Sequence, residues 1–191
     1  MGKLQIMKLD LSQKNVLITG AATGMGRSSA LELAQHGANI SIVDINQDGL
    51  NEVSEKLKSM NANFTSDLMD VTSINEVEDK IEKIEQWFEG GINCLIHFAG
   101  VLEGSVVDID ELTPETWNRI ININLNGTYN VTRAVAKHMK KRNSGVILLT
   151  SSGAGVEGPG SSAPYSSSKG GTHGLTLHLQ QYLANKGIRI H

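Results

Sequence analysis

The chain has 191 residues, 39% of them hydrophobic, enough to bury one substantial core and too few for two ordinary domains joined by a linker. A net charge of −3 leaves no basic surplus for a phosphate backbone or an anionic lipid surface, so neither nucleic acid nor membrane is expected as a partner. With no apolar run near the roughly 20 residues that cross a bilayer, no signal-peptide pattern, and Cys94 as the single cysteine, a reducing cytoplasmic location is expected.

Short β-branched runs alternate with longer segments whose apolar residues recur at helical spacing, the pattern of strand-helix-strand units. In chain order the pattern predicts a strand at 15–19, a helix at 24–36, a strand at 39–43, a helix at 47–60 and a strand at 63–66. A helix at 73–89, a strand at 93–97, a helix at 114–142 broken near Asn124, a strand at 145–150, a helix at 165–185 and a last strand from Ile188 follow. The strands are brief and mostly apolar, as in a parallel sheet covered by helices, which makes the fold class α/β. Thr113 and Pro114 mark a helix start, since proline in the first turn forfeits no hydrogen bond. Segments 101–112 and 151–164 read as functional loops, because both follow strands and belong at the carboxyl edge, where open α/β sheets bind ligands. Gly2 follows Met1, but Ile6 occupies the Ser/Thr position of a myristoylation signal, which sets lipidation aside. No Cys/His spacing suits a metal.

Between the first strand and first helix lies TGAATGMG, residues 19–26. Gly20 permits a tight turn, Gly24 lets the backbone approach a pyrophosphate, and Gly26 lets the helix pack closely, while Thr23, Met25 and the helix amino terminus complete an anion cradle. The spacing matches neither the general dinucleotide fingerprint nor a nucleoside-triphosphate loop. Asp44 ends the second strand, eighteen residues beyond Gly26, where its carboxylate can bind both adenosine ribose hydroxyls and repel a 2′-phosphate. Ile45 and Asn46 follow, with no adjacent cation, so NAD is expected in preference to NADP. Asp70 and Val71 are candidates for the adenine edge; Asp70 is equally a candidate cap for the helix that follows.

Tyr165 and Lys169 are four apart and share a helix face. A free phenol is a poor base at neutral pH, but a neighbouring ammonium favours phenolate, so this pair can exchange a proton with a substrate hydroxyl. Ser152, thirteen residues before Tyr165, can hydrogen-bond the same oxygen, or can instead satisfy local backbone in its glycine-rich loop. Asn124, a poor helix-interior residue, is expected to break its helix beside the site and seat a water.

TGAATGMG, Asp44, DVTS, NLNG, TSSGAG and YSSSK, in that order, make the chain from about residue 9 resemble the short-chain dehydrogenase/reductase family. The resemblance implies one Rossmann-type domain over residues 1–191, a doubly wound parallel sheet in three α/β/α layers with strand order 3-2-1-4-5-6. It also implies Tyr165 as acid/base, Ser152 steadying the substrate oxygen, Lys169 holding the nicotinamide ribose, Asn124 linking Lys169 to a water relay, and NAD as cofactor for a small-molecule secondary alcohol or ketone. A homo-oligomer, dimer or tetramer, is implied through the two long helices. Where the family usually reads Asn-Asn-Ala-Gly, this chain has His97, Phe98, Ala99 and Gly100. Ala99 and Gly100 keep the small pair beside the cofactor, the hydrogen bonds of the asparagine must be replaced, and His97 reads as a packed histidine rather than a catalyst. The chain stops at His191, within an incomplete sixth strand, ahead of the family's Pro-Gly segment and substrate loop. The alternative reading is therefore a non-catalytic dinucleotide-binding module or an inactive truncated fragment.

Overall fold

The computed structural model describes residues 9–103, 107–157 and 161–191; the myristoylation reading at Gly2 and Ile6, and parts of both functional loops, lie outside them. Six parallel strands pair in the order β3-β2-β1-β4-β5-β6, with β1 at Asn15–Thr19, β2 at Asn39–Asp44, β3 at Phe64–Leu68, β4 at Cys94–His97, β5 at Gly145–Leu149 and β6 at Ile188–Ile190. The chain runs outward from β1 to β3 and then crosses back to β4, which places the topological switch point between β1 and β4. Thr19 stands in register with Val43 and His97, and His97 with Leu149, so the segments after β1, β2, β4 and β5 emerge along one edge.

Alternation along the strands sorts two cores. Val16, Ile18, Ile40 and Ile42 pack with Leu50, Val53 and Leu57 of α2 (Gln47–Ser59) and Ala30 of α1 (Gly24–Gln35). Leu17, Val43, Leu95, Ile147 and Ile190 face the opposite way, toward α3 (Ile74–Trp87), α5 (Gly127–Arg142) and α6 (Ala163–Ala184). Covering is uneven: on the α1/α2 side of β4 and β5, Cys94, Ile96 and Val146 are half-buried and Leu148 is exposed, whereas parallel strands ordinarily carry helices on both faces.

Three expectations need correction. The third strand extends past residue 66 to Leu68, with Asp67 paired with Lys80 at 2.9 Å. The sixth helix starts at Ala163 rather than Tyr165: Ser162 holds the N-cap position, buried, with its hydroxyl donating to the Glu103 carbonyl at 2.7 Å rather than to the helix, and Pro164 lies in the first turn. The helix expected to break near Asn124 does not break. After α4 (Pro114–Ile121) the chain passes through a π-helical turn, Asn122–Asn126, directly into α5, widening to admit one extra residue as such turns do beside functional sites.

Candidate active site

Backbone shape builds the first part of the site. Gly20 has φ +66°, and a Cβ there would stand 2.6 Å from the Ala99 nitrogen, so only glycine lets the turn after β1 lie against the end of β4. Gly24 has φ +51°, and apart from its own turn no atom of the described residues comes within 4 Å of its Cβ position, leaving open space over the turn. Gly26 packs, more specifically than expected, against the turn itself: a Cβ would stand 2.9 Å from Ala21 Cα and would overlap the Gly20 carbonyl. Thr23 is the N-cap of α1 but makes no side-chain cap bond, and the first turn holds no carboxylate. The helix amino terminus therefore keeps donors and partial positive charge available for an anion.

A cavity of about 530 Å³ opens over this turn, within the roughly 300–1,000 Å³ range of small-molecule sites. Gly20, Thr23, Gly24, Met25, Gly26, Asp44, Asp70, Val71, Ala99 and Gly100 all line it. Asp44 is fixed by two backbone donors, Ala22 N–H to Oδ2 and Asn46 N–H to Oδ1, both at 3.0 Å. Each carboxylate oxygen keeps a second lone pair for hydroxyls, and Ile45 beside it is 70% exposed. Asp70 does not cap α3, whose N-cap is Ser73; its Oδ1 instead accepts from Thr72 N–H at 2.9 Å and Thr72 Oγ1 at 2.8 Å, shaping the turn that forms the cavity wall.

Side chains build the second part. Lys169 is buried and donates to the Thr150 carbonyl at 2.7 Å, with its Nζ 5.7 Å from the centre of the Tyr165 ring. Burial lowers the Lys169 pKa. Ser151 Oγ donates to the Lys169 carbonyl at 3.0 Å, tying the end of β5 to α6. Ser152 Oγ accepts from Ala154 N–H at 3.3 Å as the cap of a 3-10 turn, Gly153–Gly155, which leaves its own O–H free to donate. Among the described residues no hydrogen bond joins Ser152 to Tyr165. Asn124 is fully buried, with Oδ1 accepting from Val101 N–H at 2.8 Å and Nδ2 donating to the Val101 carbonyl at 2.9 Å and to Ser168 Oγ at 3.2 Å. Its carbonyl, where a water relay was expected to start, accepts from Thr128 Oγ1 at 2.6 Å.

His97 is buried at the end of β4, its Nδ1 2.8 Å from Thr19 Oγ1, and Thr19 Oγ1 also accepts from Ala99 N–H at 3.3 Å. Thr150 Oγ1 donates to the His97 carbonyl at 2.8 Å, so His97 is tied both to β1 and to the residue after β5. His97 Nε2 is buried and has no hydrogen-bond partner among the described residues. Burial, assisted by the Lys169 charge, lowers the His97 pKa to about 3. The ring is neutral at physiological pH.

Residues 14–191 match the profile of the short chain dehydrogenase family. The chain is 32% identical over 180 residues to the 3-oxoacyl-acyl-carrier-protein reductase of Thermotoga maritima, spanning 94% of this chain and 72% of that protein. It is 36% identical over 179 residues to the 2,3-dihydro-2,3-dihydroxybenzoate dehydrogenase of Bacillus subtilis, spanning 92% and 66%. Among solved structures, NAD+-bound xylitol dehydrogenase superposes with TM-score 0.89 at 32% identity, covering 94% of this chain and 68% of that one. An actinorhodin polyketide ketoreductase with NADPH superposes with TM-score 0.86 at 30% identity, covering 93% and 68%.

The chain belongs to the short-chain dehydrogenase family. It is thus an oxidoreductase of a family that uses a nicotinamide dinucleotide, and the site fits one: Gly20 and Gly26 occupy places a Cβ would fill with protein, Gly24 faces open space, and α1 is left uncapped. No helix among the described residues is long and apolar enough to cross a membrane. Several residues that touch the named ones or line the cavity were not singled out in the sequence. Thr19, Thr150 and Ser168 lie inside TGAATGMG, TSSGAG and YSSSK without having been singled out, and they bond Ala99, Lys169 and Asn124. Arg119, Asn122 and Ile123 line the cavity, and their spacing of three and four on the helix leading to Asn124 was a usable signal.

Proposed function

We propose that this chain, acting as one nucleotide-binding domain, transfers a hydride between NAD(H) and a secondary alcohol or ketone, with Tyr165 as the acid/base. The observation that carries the reading is the buried Lys169 ammonium, held by the Thr150 carbonyl and standing over the Tyr165 ring at 5.7 Å. A buried cation beside a phenol serves proton exchange with a hydroxyl and has no evident packing purpose. Ser152, accepting from Ala154 N–H, keeps its O–H available to donate to the substrate oxygen, so oxygen stabilisation and proton transfer meet on one atom. Asn124 is a positioning residue, fastening the π-helical turn to Val101 and to Ser168, one residue before Lys169. The nicotinamide, when bound, supplies or accepts the hydride. Asp44, with no cation next to it, favours NAD over NADP. Tyr129 of α5 and Leu177 and Tyr182 of α6 are exposed apolar positions through which copies of the chain assemble, a proposal that light scattering of the purified chain tests.

The test is NAD-dependent oxidation of a panel of secondary alcohols by the wild type and Tyr165→Phe. The variant loses about 10²–10⁴-fold in kcat while binding NADH as the wild type does. Equal turnover by both would refute the assigned role. NADH binding with no turnover of any alcohol or ketone would favour the alternative, a dinucleotide-binding module.

A further inference from the structure

Charge is distributed unevenly along the cavity. Of its carboxylates, Asp44 ends β2 and Asp70 follows β3, while Arg119, the one cation among its described lining residues, lies on the β4 side with Gly100 and Val101. The glycine turn after β1 lies between these two ends, against Ala99. Asn124 is clamped to Val101, and Arg119 is five residues earlier on the helix, about 7.5 Å along the axis, lining the cavity on the face shared with Asn122 and Ile123.

We propose that Arg119 is a pyrophosphate-binding residue, kept at the cavity rim by Glu103 and transferred from that carboxylate to the phosphates when a dinucleotide enters. The inference rests on the reading above that the cavity takes a dinucleotide. A pyrophosphate brings two full negative charges, whereas the amino terminus of α1 offers about half an elementary charge, so the site as built from backbone alone is under-compensated. Two cavity carboxylates worsen the imbalance, and a guanidinium is the group best shaped to bind phosphate oxygens in a fork.

Glu103 pairs with Arg119, but the side chains are 44% and 50% exposed, so exchanging one anionic partner for another costs little. The Glu103 backbone does not depend on that pair for its place. The Glu103 carbonyl separately accepts from the buried Ser162 hydroxyl at 2.7 Å, at the cap of the helix that carries Tyr165 and Lys169. The side chain of Glu103 is thereby free to act as a competitor for Arg119 while its backbone remains a fixed joint.

The experiment titrates wild type, Arg119→Met, Arg119→Lys and Glu103→Gln with NADH by nicotinamide fluorescence and with ADP-ribose by calorimetry, and records the thermal midpoint of each ligand-free protein. Arg119→Met should weaken both ligands about tenfold with an unchanged midpoint, Arg119→Lys should recover part of the loss, and Glu103→Gln should tighten both ligands about threefold. Arg119→Met binding both ligands as the wild type does would overturn the proposal. So would Glu103→Gln weakening them as much as Arg119→Met, which would make the pair a brace for the loop. Failure of the wild type to bind either ligand would instead overturn the dinucleotide reading beneath it.

Discussion

The two sides of the sheet present their ligand-facing edge by different means. On the β1–β3 side, shape is made by main chain: Gly20 and Gly26 close contacts that no side chain would fit, Gly24 faces open space, and Asp44 is aligned by two backbone donors. On the β4–β6 side, shape is made by side chains that already hold protein partners: Asn124 on Val101 and Ser168, Lys169 on Thr150, Ser152 on Ala154. The first side is a mould, sensitive to added atoms; the second is a hydrogen-bond network, sensitive to lost ones. Packing follows the same division, since β1 and β2 are covered on both faces while Leu148 of β5 is exposed on one.

The largest effect that tests the mould comes from Gly20→Val. Positive φ costs a branched residue about 1–2 kcal/mol and the Cβ collides with Ala99 backbone, so the variant should lose roughly 3 kcal/mol in urea unfolding and bind no NADH. Wild-type stability in this variant would mean that the turn and β4 are not as closely joined as described.

On the network side, His97 gives the next effect. Its pKa is lowered from 6.5 to about 3 in the folded chain, so the unfolded chain binds the proton more readily. The associated stability is complete above about pH 6.5 and is lost as pH falls toward 3. Between pH 7.5 and 5 it accounts for roughly 2 kcal/mol, and His97→Asn should flatten the curve by that amount. An unchanged pH slope in the variant would remove His97 as the source.

The smallest effect sharpens the comparison most. Gly24→Ala meets no atom of the described residues beyond its own turn and should cost only about 1 kcal/mol of stability from its positive φ, yet weaken NADH binding severalfold, because its open space is the ligand's. A loss of stability as large as that of Gly20→Val would show that the space is not free.

This division also explains what was legible in the sequence. A mould made of main chain leaves its mark as glycine spacing, so Gly20, Gly24, Gly26 and the distant Asp44 could be read directly, and Tyr165 with Lys169 through their four-residue interval. The network could not be read as far, because Lys169 is held by a carbonyl, that of Thr150, and every residue has one. Asn124 signalled a break from its poor propensity, but partners outside the helix satisfy its amide and Thr128 takes its carbonyl, so the helix widens into a π turn and continues. Asp70 offered two roles in sequence, and the bond to Thr72 decides against capping α3. Phe64–Leu68 outran its expected end, and the partner of Asp67 lies thirteen residues on, beyond any local pattern.

The central claim is that the mould and Asp44 together form an NAD site, and comparative titration of the chain with NADH and NADPH tests it most directly. The account predicts that NADH binds at least about tenfold more tightly than NADPH and that Asp44→Ala narrows the gap from both directions, losing ribose bonds to one and repulsion of the 2′-phosphate of the other. NADPH binding as tightly as NADH to the wild type, with Asp44→Ala leaving the ratio unchanged, would contradict it.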